Sequence, residues 1–402
     1  MRALAIFALL TYLLSIEACP AEVDTPVCTF TTNSGDLSTK QPLLLRAGTN
    51  ELLQPTKDDQ FIVDVGSSID LACTAAFESP LSGKQLTATC VKDDIFSING
   101  QQLQIKDIQC TAAIARSTRE TNRTCYDNSM IVEVGFSVDN LFVTSFEVCH
   151  NIEKAIAYYA HHSLYPSSAY FQTAVTRPSF IKGGFYKGVD VDGMYTQAKQ
   201  QTTFADILGP TSQQYFDIPA NLYLSRGHLA AKAEFILAPS QIATFFYVNV
   251  APAWQSFNAG NWGRIEDGVR KFANDRKLNL EVYTGAWGVS MLPNSDGQLK
   301  ELYLGFTSDN KGLVPVPRLF YKVLIDRATN MGIVLIGVNN PFLTLEDIES
   351  NEIICNDVSE NIDWINWDKT NINRGYSYAC DVNDFVKVVE DLPDITVSGL
   401  LY

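Results

Sequence analysis

The spacing of hydrophobic and polar residues changes about a third of the way along the chain. From residue 22 to about 140, apolar and polar residues alternate in short runs: FIVDV (61–65), SIDLAC (68–73), LTATCV (86–91), LQIKDI (103–108) and MIVEVGFSV (130–138). Alternation rich in β-branched residues and punctuated by turn formers predicts a β-rich N-terminal domain over 22–140. From 141 the pattern is mixed. VCHNIEKAIAYYAHH (148–162) has helical spacing, and FADILG (204–209) reads as a short helix stopped by Gly209 and Pro210. QIATFFYVNV (241–250), aromatic and β-branched, predicts a strand. In FNAGNWGRIEDGVRKFANDR (257–276), Trp262, Ile265, Val269 and Phe272 form the apolar stripe of a helix. LNLEVYTGAWGV (278–289) and VPRLFYKVLI (316–325) predict further strands. The fold class is therefore α+β, with a second domain over 141–402.

The first residues change where this fold is expected to work. Arg2, an apolar stretch over 3–16 and small residues at Ala18 and Ala21 have the form of a signal peptide over 1–21, cleaved after Ala18 or Ala21. No later run approaches the ~20 apolar residues of a membrane helix. The expectation is a secreted, extracellular protein. Of nine cysteines, cleavage after Ala21 leaves eight, an even set suited to disulfides. Six of them lie between 28 and 149, so the N-terminal domain is expected to be stapled. Cys355 and Cys380 are natural partners for each other, although spacing does not fix connectivity. No CxxC pair supports a zinc site. Asn122-Arg123-Thr124 is a glycosylation sequon.

The net charge of −15 argues against a nucleic-acid partner until its distribution is read. Between 150 and 277 there are 12 basic against 9 acidic residues, leaving 18 against 36 in the rest. The middle third is the one region suited to facing a polyanion.

That third also carries the candidate chemistry. SRGHLAAKAEF (225–235) places Arg226 and His228 at the end of a strand, with Gly227 letting the chain turn so that both face one phosphate. Asn249 follows at the end of the next predicted strand. Asn258, Trp262, Glu266 and Arg270 then recur every four residues along one helix face. Imidazole can take a proton from water near neutral pH. A guanidinium matches the geometry and charge of a phosphate. Mg²⁺ keeps most of its waters, so one amide oxygen and a nearby carboxylate suffice to hold it. The set suits hydrolysis of a phosphodiester.

SRGHLAAKAEF followed by YVNVAPAWQSFNAGNWGRIEDGVR resembles the DNA/RNA non-specific endonucleases with a ββα-metal active site, and within them the secreted arthropod branch of double-stranded-RNA and DNA nucleases. The likeness runs over roughly 150–340. An RGH and an N-x-G-x-W-x-x-x-E helix about 30 residues apart form a specific pair, and the region before 140 resembles only that branch's own N-terminal extension. The resemblance implies a ββα-metal nuclease domain with a central antiparallel sheet, cutting DNA and RNA, single- or double-stranded, through the phosphate backbone to 5′-phosphate ends. It implies His228 as general base, Asn258 as the direct protein ligand of Mg²⁺ (Mn²⁺ a possible substitute), and Glu266 as holder of the surrounding water. Arg226 and Arg270 would contact the phosphate, Lys232 would assist in substrate binding, and Asn249 would support the site.

Each residue also has a plainer reading. Asn258 can cap a helix, Glu266 can face solvent, Arg270 can pair with Glu266 at i, i+4, and Asn249 can satisfy backbone. Trp262 reads as core. His161 and His162 read as solvent-facing residues at a helix end. DVDGMYTQ (190–197) lacks the glycine and the closing glutamate at the offsets a calcium loop requires. Where bacterial members have Asp before the RGH, this chain has Ser225, which brings no charge. The bacterial arginine upstream of the RGH has three candidates here, Arg177, Lys182 and Lys187. The alternative to an active nuclease is a nucleic-acid-binding protein of the same fold with weak or no cleavage.

Overall fold

A computed structural model describes residues 26–402, so the expected signal peptide and Cys19 lie outside the described residues. Two antiparallel sheets organise the chain. The smaller has five strands in the order Leu43–Arg46, Ser68–Ala72, Gln85–Lys92, Ile95–Ile98 and Gln101–Gln104. A strand pair, Val27–Thr31 with Gln60–Asp64, packs against it. Disulfides Cys28–Cys90 and Cys73–Cys110 tie this region together. Phe30 stacks on Phe61 with centroids 4.8 Å apart at its centre.

The larger sheet has nine strands. Its antiparallel path runs Ser377–Cys380, Met331–Val338, Leu319–Asp326, Leu280–Trp287, Ile156–Leu164, Leu141–Asn151, Met130–Val138 and Ser117–Thr124. Gly399–Leu400 adds a short parallel pairing to Met331–Val338. Met130–Val138, grouped by its alternation with the N-terminal region, pairs instead with Leu141–Asn151. A boundary at 140 therefore cuts through the large sheet, which begins at Ser117. Alternation marks a strand but not which sheet it joins. Leu319–Asp326 is buried at every position, as a strand covered on both faces must be. On one face Phe320 and Leu324 share a core with Trp262 and Ile265, and on the other Tyr321 and Val323 share one with Val382 and Phe385. Cys125 pairs with Cys149 and Cys355 with Cys380.

Two segments differ from their sequence pattern. Residues 148–162 are not a helix but the end of one strand, a turn and the next strand, with Lys154 N–H donating to Asn151 Oδ1 at 2.9 Å and Ala155 at φ +52° closing the turn. Both strands are inside the sheet, so apolar residues fall on both faces and mimic helical spacing. Residues 241–250 are not a strand. They are the end of a short helix, Ala238–Ala243, begun by Pro239, then a tight turn at Tyr247–Asn249. The aromatics there are buried by packing in different directions, Phe245 against His228, Phe246 beneath Arg116 and Tyr247 among Phe180, Tyr186 and Tyr195, not by pleating.

The strand Leu224–His228 pairs antiparallel with Val250–Trp254, apart from the large sheet, and sets Arg226 opposite Pro252 and His228 opposite Val250. A short turn leads from this pair into the helix Gly263–Arg276. This strand, strand and helix hold the candidate residues.

Candidate active site

Gly227 is a strand residue, not the turn expected from sequence. A Cβ there would stand 2.7 Å from Ala253 Cβ and 3.3 Å from the Phe320 ring. Glycine is needed for that close approach, while Arg226 and His228, two apart in a strand, share the other face.

His228 is partly open to solvent, but its Nε2 is enclosed with no hydrogen-bond partner among the described residues. Its ring lies between Phe180 and Phe245, at 5.3 and 5.0 Å. Burial, and then the Arg177 guanidinium, push its pKa down to about 3. The imidazole is therefore neutral at pH 7. Arg177 also helps depress the Lys232 ammonium, after burial, so of the three upstream candidates it is the one whose charge acts on both His228 and Lys232. Lys182 is turned to Val189 O at 3.1 Å and towards Asp190. Lys232 donates to Val175 O at 2.9 Å and so ties down the segment that carries Arg177.

Arg226 is held from several sides. Its Nε donates to the Tyr247 hydroxyl at 3.0 Å, and Nη2 lies 3.2 Å from Asp192 Oδ1. Its guanidinium stands over the rings of Tyr195 and Tyr247 at 5.0 and 5.4 Å. The Tyr247 hydroxyl also donates to Asp192, and with Arg226 it holds that carboxyl below its usual range. Asp192, in the stretch 190–197, is thus engaged by a guanidinium and a tyrosine hydroxyl.

Asn258 opens the turn before the helix. Residues Asn258–Trp262 are wound as a π-type turn, with Gly260 at ψ −121°. A Cβ on Gly260 would come within 2.5 Å of Arg374 O. Asn261, fully buried, clamps the turn by donating to Asp368 O and Gly375 O at 2.7 and 2.8 Å and accepting from Asp368 N–H at 3.0 Å. The C-terminal region thus braces the turn from behind. Asn258 donates from Nδ2 to Ser225 Oγ at 3.2 Å, and its Oδ1 makes no hydrogen bond among the described residues.

Glu266, two turns on, makes no side-chain hydrogen bond or ion pair among the described residues. Burial, then the nearby Glu234, push its carboxyl up to about 7, against the pull of Lys322 and Arg270. Arg270 does not pair with the Glu266 carboxylate. It donates to the Glu266 carbonyl at 3.2 Å, pairs with Asp267 and lies over Phe171 at 5.3 Å.

Asn249, expected among the catalytic groups, is fully committed to backbone. Its Oδ1 accepts from Ala230 N–H at 2.9 Å, and its Nδ2 donates to Ala230 O and Thr244 O at 2.9 and 3.0 Å. Completely buried, it has no group free for substrate and instead braces the loop after His228. It also ends the turn before the strand Val250–Trp254 rather than ending a strand.

One buried network lay outside the expected set. Lys322 Nζ lies 2.7 Å from Glu234 Oε1 and 2.6 Å from Thr284 Oγ1, and His162 Nε2 lies 3.1 Å from Glu234 Oε2. Glu234 also accepts the Ala231 N–H at 3.1 Å. Burial opposes its charge, but Lys322 and His162 hold the Glu234 carboxyl far below the usual range. His162 is therefore a buried strand residue, not a solvent-facing helix end, while His161 stacks on Tyr283 and meets Glu281 at 3.0 Å. A lysine inside the apolar run LFYKVLI was the available signal, since a buried ammonium requires a carboxylate. Glu234 is an electrostatic neighbour of both His228 and Glu266.

The residues fit a hydrated cation. Among the described residues no group of three or more His, Cys, Asp or Glu could cage a metal. The donors on offer are one free amide oxygen and one unpaired carboxylate, which suits an ion that keeps most of its waters. Asn122 is exposed, in a bulge of the edge strand Ser117–Thr124. Among the described residues no helix is long and apolar enough to cross a membrane.

The profile of DNA/RNA non-specific endonucleases matches residues 127–385. A salivary endonuclease of Lutzomyia longipalpis is 27% identical over 94% of this chain and 87% of its own length. The salivary protein Tsal2A of Glossina morsitans morsitans is 24% identical over 89% and 90%. A chain from a solved EndoG/EndoGI complex is similar over 49% of this chain and 72% of its own, at 19% identity and a TM-score of 0.33. That last likeness is too slight to bear on the fold.

Proposed function

The chain belongs to the DNA/RNA non-specific endonuclease family and is a nuclease, and from that premise we propose that it is a secreted, Mg²⁺-dependent enzyme cutting both DNA and RNA at the site built on His228 and Asn258. The single observation that carries this reading is the placement of the RGH strand beside the Asn258 turn, joined through Ser225.

In the proposed reaction, neutral His228 takes a proton from water as its oxygen attacks phosphorus. The bond from phosphorus to the 3′ oxygen breaks, that oxygen takes a proton from water, and a 3′-hydroxyl and a 5′-phosphate remain. The low pKa of His228 belongs to the free protein; incoming phosphates bring negative charge that raises it towards the range of efficient transfer. Arg226 and Arg177 neutralise the phosphate, Arg226 by exchanging Asp192 for it. Asn258 would hold the cation through Oδ1, with Glu266 holding water beside it. When bound, Mg²⁺ supplies charge that stabilises the phosphate and the leaving oxygen, and Mn²⁺ is an expected substitute. Arg270 steadies the helix through Asp267 rather than meeting substrate. Recognition through the backbone gives little sequence preference and a steep salt dependence.

Secretion rests on the N-terminal signal and on the salivary relatives, and glycosylation at Asn122 on its exposure. The test is digestion of plasmid DNA and double-stranded RNA in Mg²⁺ and in EDTA, with the new ends identified. Cleavage of both, abolished by EDTA and leaving 5′-phosphates, is expected. Cleavage that persists in EDTA would overturn the mechanism.

A further inference from the structure

We propose that Ser225 sets the orientation of the Asn258 amide, so that Oδ1 rather than Nδ2 faces the cation. The inference rests on the reading of Asn258 as the metal ligand.

An asparagine amide accepts at one end and donates at the other, and a half-turn of its last torsion exchanges them. A cation site needs the oxygen. An amide on a turn has no intrinsic reason to present it, and half of its orientations would aim an N–H₂ at the ion. The structure supplies a reason through a chain of hydrogen bonds with one polarity. Ser225 Oγ donates to Ala253 O at 3.0 Å, so its single hydrogen is committed. Its lone pairs then accept from Asn258 Nδ2 at 3.2 Å. Reversing the amide would leave the one hydroxyl hydrogen to serve either Oδ1 or Ala253 O, so one of the two hydrogen bonds would be lost. Ala253 faces Ser225 in the paired strands, and its side chain is fully buried, so the end of the chain is fixed by the fold. Ser225 thus does by hydrogen bonding, without charge, what an acceptor is needed to do at this position. It acts through Asn258 and touches neither substrate nor cation; it is a positioning residue.

Partners that orient metal ligands are worth about 10–100-fold in metal affinity. The test is Mn²⁺ binding to the full secreted chain without nucleic acid, followed by electron paramagnetic resonance, well below the melting temperature of each variant. Ser225→Ala is expected to weaken Mn²⁺ binding roughly tenfold, and Ser225→Thr, which keeps the hydroxyl, to stay within about twofold of wild type. Asn258→Asp presents oxygen at both ends and needs no orienting, so adding Ser225→Ala to it is expected not to weaken binding further. Two results would overturn the proposal: Ser225→Ala binding as tightly as wild type while Asn258→Ala does not, or an undiminished Ser225→Ala effect in the Asn258→Asp protein. Unchanged binding in Asn258→Ala would instead remove the ligand assignment beneath it.

Discussion

Replacing Lys322 by methionine takes away a cation that has no contact with water. The side chains of Lys322 and Glu234 are both 0% exposed, and 2.7 Å separates their charges. Methionine fills nearly the same space, so the loss is electrostatic rather than a cavity. Glu234 would keep the Ala231 amide and the edge of His162, neither of which replaces a fixed cation. Stranding one member of a buried pair costs about 3–5 kcal/mol, and the Thr284 hydroxyl loses its partner as well. Urea unfolding of the oxidised protein measures the loss. The double variant Lys322→Met with Glu234→Gln removes both charges and is expected to be more stable than Lys322→Met alone. The reasoning fails if Lys322→Met costs under about 1 kcal/mol, or if the double variant costs the sum of the singles. Because Glu234 braces the turn after His228, Lys322→Met is also expected to lower cleavage under conditions where it is still folded.

Further expectations concern the groups around this network. Mg²⁺ binding favours the ionised Glu266 carboxylate, whose pKa is raised to about 7 by burial and Glu234. Apparent Mg²⁺ affinity should therefore be level above pH 7 and fall by up to about tenfold per unit below it, which titrations at several pH values would show; Glu266→Gln should remove the dependence. Asn249→Ala orphans three backbone groups at Ala230 and Thr244, and unfolding should show a loss of at least about 2 kcal/mol. Asp192→Asn, made in a His228→Ala background so that substrate survives, should free Arg226 and tighten DNA binding. The slope of log affinity against log salt should steepen by about 0.9 for the added phosphate contact; weaker binding would mean that Asp192 positions Arg226 instead.

The family was more legible in the sequence than the arrangement of strands around the candidate residues. The RGH strand and the segment from Asn258 to Glu266 are each short and local in sequence, so the resemblance could be read directly, but the single helix expected from Asn258 to Arg270 is broken at Gly260, which leaves Asn258 in the turn before it. Strand membership could not be read directly, because Met130–Val138 alternates in the same way whichever sheet it joins. The doubly covered strands around 148–162 concealed their period of two. Asn249 shows a different limit: its residue type and position suit a catalytic amide, and only three backbone partners reveal a brace. Asp192 and Glu234 are far from their partners in sequence, and no local pattern announces an ion pair formed by tertiary structure. Lys322 did carry a signal, as a charge inside an apolar strand.

The claim that His228 and the Asn258 turn form one catalytic site is tested most directly by His228→Ala in Mg²⁺. Single-turnover cleavage of double-stranded DNA and RNA should fall at least about 100-fold, the usual worth of a general base. Binding of the same substrates should stay near the wild-type level, since the imidazole carries no charge to the phosphates. Cleavage at a rate close to wild type would contradict the assignment of this site.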